Sequence, residues 1–195
     1  MNYENTLNTI LVRHGETEGN RKGIVQGQTD TPLTKEGVAS TLRKADKLKN
    51  FTFNAVYCSD LSRATATMKL LEARDPKLPK ARFNSDLREI DFGTYAGRAK
   101  NEIINIIKHH KTNPELSYPE GECGNDLIQR VRNFFSHCLR IHKGETILVV
   151  SHYGIMETAA RQYAGIQINE PVTIGRDDVW RLKFSDDKSA RLEVL

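Results

Sequence analysis

Three short runs of apolar and β-branched residues recur along the chain, at residues 9–12, 55–58 and 146–150. None of them alternates between polar and apolar positions. Unbroken apolar runs of this length are typical of strands that are covered on both faces, as in a parallel sheet. The pattern therefore predicts three central parallel strands.

Each run is followed by apolar residues three or four positions apart, which places them on one face of a helix. Alternation of strand and helix is typical of α/β folds. We therefore expect a three-layer sandwich with a mostly parallel central sheet and helices on both faces. The helical positions are Val38, Leu42, Ala45 and Leu48; Leu61, Ala64, Met68 and Leu71; and Ile155, Met156, Ala159 and Tyr163.

The remaining pattern adds smaller elements to this core. Helical spacing recurs at residues 103–107 and 127–138, and a short strand is expected at 81–83. Residues 179–184 alternate and can pair with 190–195 as a hairpin. The stretch 84–125 is rich in glycine and proline. We expect one domain over residues 1–195, with 84–125 inserted as a lid or substrate wall over the carboxyl ends of the strands.

Composition narrows the class of protein. The chain has 195 residues, a net charge of +4 and three cysteines without a Cys-x-x-Cys pattern, which argues against disulfides and a zinc ribbon and favours the cytoplasm. No signal peptide and no run of membrane-spanning length is visible. The charge is too small to predict a nucleic-acid partner. It suits a small anionic ligand.

Polar residues follow each of the three runs directly: Arg13 and His14 after the first, Ser59 to Arg63 after the second, and His152 after the third. The carboxyl ends of parallel strands meet at one edge of a sheet, where open α/β sheets bind ligands. Two arginines and two histidines gathered there would repel one another unless a multiply charged anion neutralises them. A phosphate monoester fits, because guanidinium groups pair with its oxygens. Arg63 also begins a predicted helix, whose free N–H groups we expect to face the same anion.

Five stretches resemble, in order, the motifs of the histidine phosphatase superfamily, the phosphoglycerate mutase-like family, over nearly the whole chain. One such motif alone is weak evidence, whereas five in the same order are specific. They are LVRHGETEGN (11–20), QGQTDTPLT (26–34), SDLSRATAT (59–67), LREIDFGTYAG (87–97) and VVSHYG (149–154).

The resemblance implies roles for five residues. His14 would attack phosphorus and become a phosphohistidine, while Arg13, Arg63 and His152 would hold the equatorial oxygens. Glu89 would act as general acid toward the leaving oxygen and then as base for water. His14 must be neutral at the attacking nitrogen, so we expect a backbone carbonyl to fix its tautomer. Neither a metal nor a cofactor is expected.

The resemblance also places a second set of residues around the phosphate: Asn20, Gln26, Gly27, Tyr153 and Gly154. Asn20 and Gln26 can equally be turn residues, and Tyr153 can either pack in the wall or stack on substrate. Gly15 is expected to let the backbone approach the anion.

The resemblance favours hydrolysis of a small phosphorylated metabolite. The motif after Glu89 and the stretch 119–130 are similar to a short phosphatase branch that includes α-ribazole and broad-specificity phosphatases. Tyr153, Ala96 and Cys123 depart from that branch and bear on substrate identity. Two alternatives stay open, a phosphoglycerate-type mutase and a non-catalytic phospholigand-binding regulator. The C-terminal strands offer an edge for a possible homodimer.

Overall fold

The computed structural model describes residues 6–195. One mixed sheet of six strands carries the fold, in the order β3-β2-β4-β1-β5-β6. The first four of these are mutually parallel, and β5 and β6 run antiparallel to their neighbours. The strands are β1 (Asn8–Arg13), β2 (Ala55–Cys58), β3 (Arg82–Phe83), β4 (Thr146–Ser151), β5 (Val179–Phe184) and β6 (Ala190–Val194).

In this described part of the chain, six helices connect and cover the strands: α1 (Glu18–Arg21), α2 (Lys35–Leu48), α3 (Ser62–Arg74), α4 (Lys100–Thr112), α5 (Gly124–Ile141) and α6 (Tyr153–Tyr163). Two 3₁₀ turns, Ser85–Leu87 and Gly93–Tyr95, lie in the segment before α4. The strands and helices predicted from periodicity are confirmed, including the short β3 and the C-terminal hairpin of β5 and β6.

Two hydrophobic cores lie on opposite faces of the sheet. Leu11, Val149 and Trp180 pack with α5 and α6 on one face. Ile10 and Val150 pack with α2 and α3 on the other. Because neighbouring residues of one strand point to opposite faces, both sides of these apolar strands are covered. The predicted sandwich with helices on both faces is confirmed.

The strand register brings the polar residues together. In the parallel pairing of β1 with β4, Arg13 lies opposite Ser151, and in that of β2 with β4, Cys58 lies opposite Val150. His14, Ser59 and His152 therefore leave the same edge of the sheet.

The stretch 84–125 holds the two 3₁₀ turns and α4. Ile103 and Ile107 of α4 pack with Val25 in a small third cluster. Its action as a lid stays a prediction. Within residues 6–195 no helix is both long enough and apolar enough to cross a bilayer.

Candidate active site

His14 lies directly after β1 and is buried. Its Nδ1 is 2.8 Å from the carbonyl oxygen of Gly15. Since a carbonyl only accepts hydrogen bonds, Nδ1 carries the proton and the lone pair is on Nε2. Burial lowers the pKa of His14 well below its usual value, and the charges of Arg13 and Arg63 lower it further. His14 is therefore a neutral imidazole, as a nucleophile must be.

Three buried nitrogens around His14 have no hydrogen-bond partner among residues 6–195: Arg13 Nε, Arg63 Nε and His152 Nδ1. Buried polar atoms in folded proteins are almost always bonded. Three unpaired nitrogens on neighbouring side chains, two of them cationic, are the donor set that an oxyanion requires.

Arg13 is held by its surroundings rather than by an ion pair. Its guanidinium carbon lies 5.7 Å from the ring centroid of Tyr153. Burial lowers the pKa of Arg13, while the charge of Glu89 raises it. The guanidinium is thus a desolvated cation, and interactions in such a low-dielectric site are stronger than in water.

Arg63 is 2% exposed and is fixed by the loop that follows α1. Its guanidinium donates to the carbonyl oxygens of Gly27 and Thr29, at 2.6 and 2.8 Å, and to Asp30 Oδ1 at 2.8 Å. The prediction that the N–H groups opening α3 face the ligand is wrong. Asp30 accepts from the Ser62 N–H at 2.8 Å and caps the helix. A carboxylate of the protein itself therefore stabilises this helix N-terminus, in the place where the ligand was expected.

His152 lies beside His14. Its ring centroid is 5.1 Å from that of His14, and its Nε2 is 2.8 Å from the hydroxyl of Ser59. Burial lowers the pKa of His152 well below its usual value, and the charges of Arg63 and Arg13 lower it further. With Nε2 occupied by Ser59, Nδ1 is the nitrogen left for a ligand.

Glu89 completes the group. Its carboxylate accepts from the backbone N–H of Gly154, at 3.1 and 3.2 Å, and from that of Ile90, at 3.0 Å. A methyl group on Gly154 would overlap Glu89 Oε1. Glycine at position 154 therefore allows the first turn of α6 to approach this carboxylate closely.

Sequence reasoning missed Arg130, which holds the loop that carries Glu89. From α5, Arg130 donates to Glu122 at 2.7 and 2.8 Å and to the carbonyl oxygens of Asp86 and Arg88 at 2.7 and 3.0 Å. Glu122 in turn accepts from the N–H of Asp91 at 2.9 Å. The motif that contains Glu122 and Arg130 was visible in the sequence, but the contacts of these two residues were not.

Asn20 and Gln26 serve the local structure. Asn20 Oδ1 accepts from Thr17, in the box that caps α1. Gln26 donates to the Thr17 hydroxyl at 2.8 Å and accepts from Thr31 at 2.8 Å. The Gln26 amide therefore forms hydrogen bonds at both its oxygen and its NH₂, whereas the Asn20 side chain lines the pocket and its NH₂ donates to no group of residues 6–195.

Two glycines near the site have structural reasons of their own. A side chain on Gly15 would overlap the Gly37 carbonyl oxygen, and the Gly15 N–H donates to Thr67 at 2.9 Å. Close packing of the segment after β1 against α2 therefore requires glycine here, and an approach of this backbone to the anion stays a prediction. Gly27 has φ +55°, in the left-handed region that favours glycine.

Two further side chains surround the site. Tyr153 packs in the wall, donating its hydroxyl to the Val172 carbonyl at 2.8 Å, and burial raises its pKa to about 12. Lys44, which sequence reasoning also missed, is 1% exposed and donates to the Arg13 carbonyl at 2.8 Å. Burial lowers the pKa of Lys44 to about 8.

Nearly all of these groups line one pocket of about 970 Å³. The end of the pocket at His14 holds most of the predicted residues. His152 is not among its lining residues and lies beside His14, with ring centroids 5.1 Å apart. The other end of the pocket is lined by α4, α6 and the segment 166–174. Among the described residues no cluster of His, Cys, Asp and Glu is placed to hold a metal ion. The predicted lining residues are Arg13, His14, Asn20, Gln26, Gly27, Arg63, Glu89, Tyr153 and Gly154.

The family model described as histidine phosphatase superfamily, branch 1, matches residues 9–192. The chain belongs to the histidine phosphatase superfamily. This assignment confirms the resemblance drawn from the five motifs, and members of this superfamily are phosphatases or mutases.

Named relatives include both activities. An adenosylcobalamin/α-ribazole phosphatase of Escherichia coli is 29% identical and aligned over 95% of this chain and 93% of its own. A probable phosphoglycerate mutase of Salmonella arizonae is 28% identical over 75% of this chain and 69% of its own. The solved structure of a putative α-ribazole-5′-P phosphatase of Escherichia coli superimposes with a TM-score of 0.82 at 28% identity, covering 98% and 96% of the two chains.

Proposed function

We propose that this histidine phosphatase hydrolyses a small phosphate monoester through a phosphohistidine on His14, without a metal. One observation carries the proposal. A neutral histidine with a free Nε2 lies among Arg13 Nε, Arg63 Nε and His152 Nδ1, all buried and unpaired within residues 6–195.

The first half-reaction transfers the phosphoryl group to the protein. The lone pair of His14 Nε2 forms a bond to phosphorus while the bond from phosphorus to the leaving oxygen breaks. The leaving oxygen takes its proton from Glu89. Arg13, Arg63 and His152 donate to the equatorial oxygens, where negative charge is concentrated.

The second half-reaction regenerates the protein. Glu89, now a carboxylate, takes a proton from water as the water oxygen bonds to phosphorus and the P–N bond breaks. Inorganic phosphate leaves, and the electron pair returns to Nε2. Glu89 therefore donates a proton in one step and accepts one in the next, and the backbone N–H groups of Ile90 and Gly154 hold its carboxylate in place.

Hydrolysis is favoured over mutase chemistry by the far end of the pocket. Ile104, Ile128 and Val172 line it, and phosphoglycerate is a small, wholly polar molecule that would leave such a surface unfilled. A relative named as an α-ribazole phosphatase makes α-ribazole phosphate one member of a substrate panel. The mutase alternative predicts phosphoryl transfer to glycerate phosphates and stimulation by a bisphosphate.

The experiment is phosphate release from 4-nitrophenyl phosphate in excess chelator, for wild type beside His14→Ala. Release by wild type that is lost in the variant supports His14-dependent hydrolysis, and acid quenching should trap an acid-labile phosphoryl group on wild type only. Release that persists in a folded His14→Ala protein contradicts the mechanism. No release from folded wild type directs attention to the mutase assay, and then to phospholigand binding without turnover.

A further inference from the structure

Helix α4 turns one face toward the pocket. Lys100, Ile104, Ile107 and Lys111 line it at steps of four, three and four residues, which places them in one row. Lys108 also lines the pocket and lies beside this row, four residues after Ile104. The row carries lysines at both ends and isoleucines between them. This arrangement offers an apolar surface bordered by positive charge.

Lys111 lies within reach of a molecule anchored at the phosphate end. Its Nζ is 5.5 Å from the ring centroid of Tyr153, and the guanidinium carbon of Arg13 is 5.7 Å from the same centroid. These two distances limit the separation of the two cations to about 11 Å. One small organic phosphate can span that length.

Positive charge at this end exceeds negative charge. The buried carboxylate of Glu157 is shared by Lys111 at 2.7 Å and Arg161 at 2.8 Å, so one anion serves two cations. Lys108 and Lys100 form no ion pair within residues 6–195. The phosphoryl group is bound elsewhere, by Arg13 and its neighbours, and leaves these charges unopposed.

Solvated lysines on an outer helix face need no explanation, but these line a pocket whose other cations are already assigned. Lys108 and Lys111 are three residues apart on one helix face, at a spacing that lets both reach one acidic group. Ile104 and Ile107 lie next to them and supply a surface for an apolar body.

We infer that the substrate carries a second anionic group, and that Lys108 and Lys111 recognise it. The inference rests on the proposed function and names its substrate class: a phosphate monoester of a compact, partly apolar acid. Neither a neutral alcohol nor a purely polar one uses both features of this wall.

The test compares two esters that differ only in charge, 4-carboxyphenyl phosphate and 4-carbamoylphenyl phosphate. Both leave as phenols with a para carbonyl substituent, so the chemical step is closely matched. One exposed ion pair is worth up to about 1 kcal/mol, so two lysines give the carboxylate about a tenfold advantage in kcat/KM. We expect this ratio to fall toward one in Lys108→Gln/Lys111→Gln and below one in Lys108→Glu/Lys111→Glu.

The control is Lys69→Gln, an exposed lysine of α3 outside the pocket, which should keep the wild-type ratio. A wild-type ratio near one, or a ratio that the lysine variants do not change, overturns the inference while leaving hydrolysis intact. If wild type turns over neither ester, the proposed function fails separately. The same ratio is then read from dissociation constants of the two esters with His14→Ala, by calorimetry.

Discussion

The two ends of the pocket are built from different parts of the fold. At the proposed phosphate end, His14 and His152 directly follow β1 and β4, Arg63 lies in the first turn of α3, and all three are buried. At the leaving-group end, Lys108 and Ile168 come from a helix and an irregular segment and are exposed. The sheet and the segments directly after its strands therefore hold the residues proposed for catalysis. Residues of the outer elements can change, and with them the substrate bound, without displacing His14.

The same comparison applies to stability. The end of the pocket at His14 holds Lys44, which is 1% exposed, and Arg13, whose Nε is buried, and neither side chain forms an ion pair with a carboxylate of residues 6–195. Buried unpaired cations destabilise a folded protein. The leaving-group end exposes its unpaired lysines to water and is not strained in this way. Variants that remove charge from the two ends should therefore differ in both activity and stability.

The largest effect is expected for Arg13→Met. Loss of one buried donor to the transferring phosphoryl group should lower kcat/KM about 10³-fold for every ester. Removal of a desolvated cation should at the same time raise the melting temperature by a few degrees. Kinetics and calorimetry on one preparation test both results. Arg74→Met, at an exposed arginine of α3 paired with Asp46, should change neither, and a less stable Arg13→Met protein would contradict the account.

Lys44 should make the free energy of unfolding increase with pH. Burial lowers its pKa from 10.5 to about 8, so between these values the unfolded chain binds more protons than the folded one. Stability therefore increases as pH rises from about 8 to 10.5. Below that window the charged lysine costs about 3 kcal/mol, from 1.36 kcal/mol per pKa unit.

Lys44→Met should accordingly be about 2 kcal/mol more stable at pH 7, after a loss of about 1 kcal/mol for its hydrogen bond. Urea unfolding from pH 7 to 10 measures this. The variant should also lose the rise above pH 8 that wild type shows. Lys69→Met serves as the control. If the free energy of unfolding rose with pH equally in Lys44→Met and wild type, Lys44 would not be the group that causes the rise.

The phosphate end was predictable because it depends on local sequence. Apolar runs identified β1, β2 and β4, and parallel pairing then brought Arg13, His14 and His152 together. Asp30, which caps α3 and pairs with Arg63, was not predictable, because no local pattern relates residues so distant in the chain. The same holds for Lys44 under the Arg13 carbonyl. The segment 166–174 has no periodicity, so its position in the wall followed only from the structure.

Gly154→Ala tests the point at which the two ends of the pocket meet, where the proposed mechanism has Glu89 protonate the leaving oxygen. Alanine suits the first turn of α6, but its methyl group would overlap Glu89 Oε1 and displace the acid. General acid catalysis contributes most when the leaving group is basic. We expect kcat/KM to fall about 50-fold for an alkyl phosphate and less than about threefold for 4-nitrophenyl phosphate. Equal losses for both esters would mean that the substitution damages phosphate binding instead.

The smallest effect is expected for Arg130→Lys. This substitution also separates loss of general acid catalysis from loss of phosphate binding, but at a residue that does not touch the Glu89 carboxylate. Arg130 touches no predicted phosphate contact. It fixes the backbone on both sides of Glu89 through Glu122 and the carbonyl oxygens of Asp86 and Arg88. Lysine keeps the charge but lacks the planar fork that makes these bonds together. We expect about a tenfold loss in kcat/KM for alkyl phosphates.

The selectivity of that loss separates positioning from general damage. 4-Nitrophenyl phosphate, whose leaving group needs little protonation, should be hydrolysed by Arg130→Lys with kcat/KM close to wild type. Because kcat/KM reports the steps up to phosphorylation of His14, slow hydrolysis of the intermediate does not enter the comparison. Arg132→Lys is the matched control, since Arg132 lies on the same helix and its side chain, within residues 6–195, donates to Gln162 and not to the loop that carries Glu89. If kcat/KM of Arg130→Lys fell equally for both esters, Arg130 would stabilise the fold without positioning Glu89. The contact with Gly154 would then be what positions Glu89.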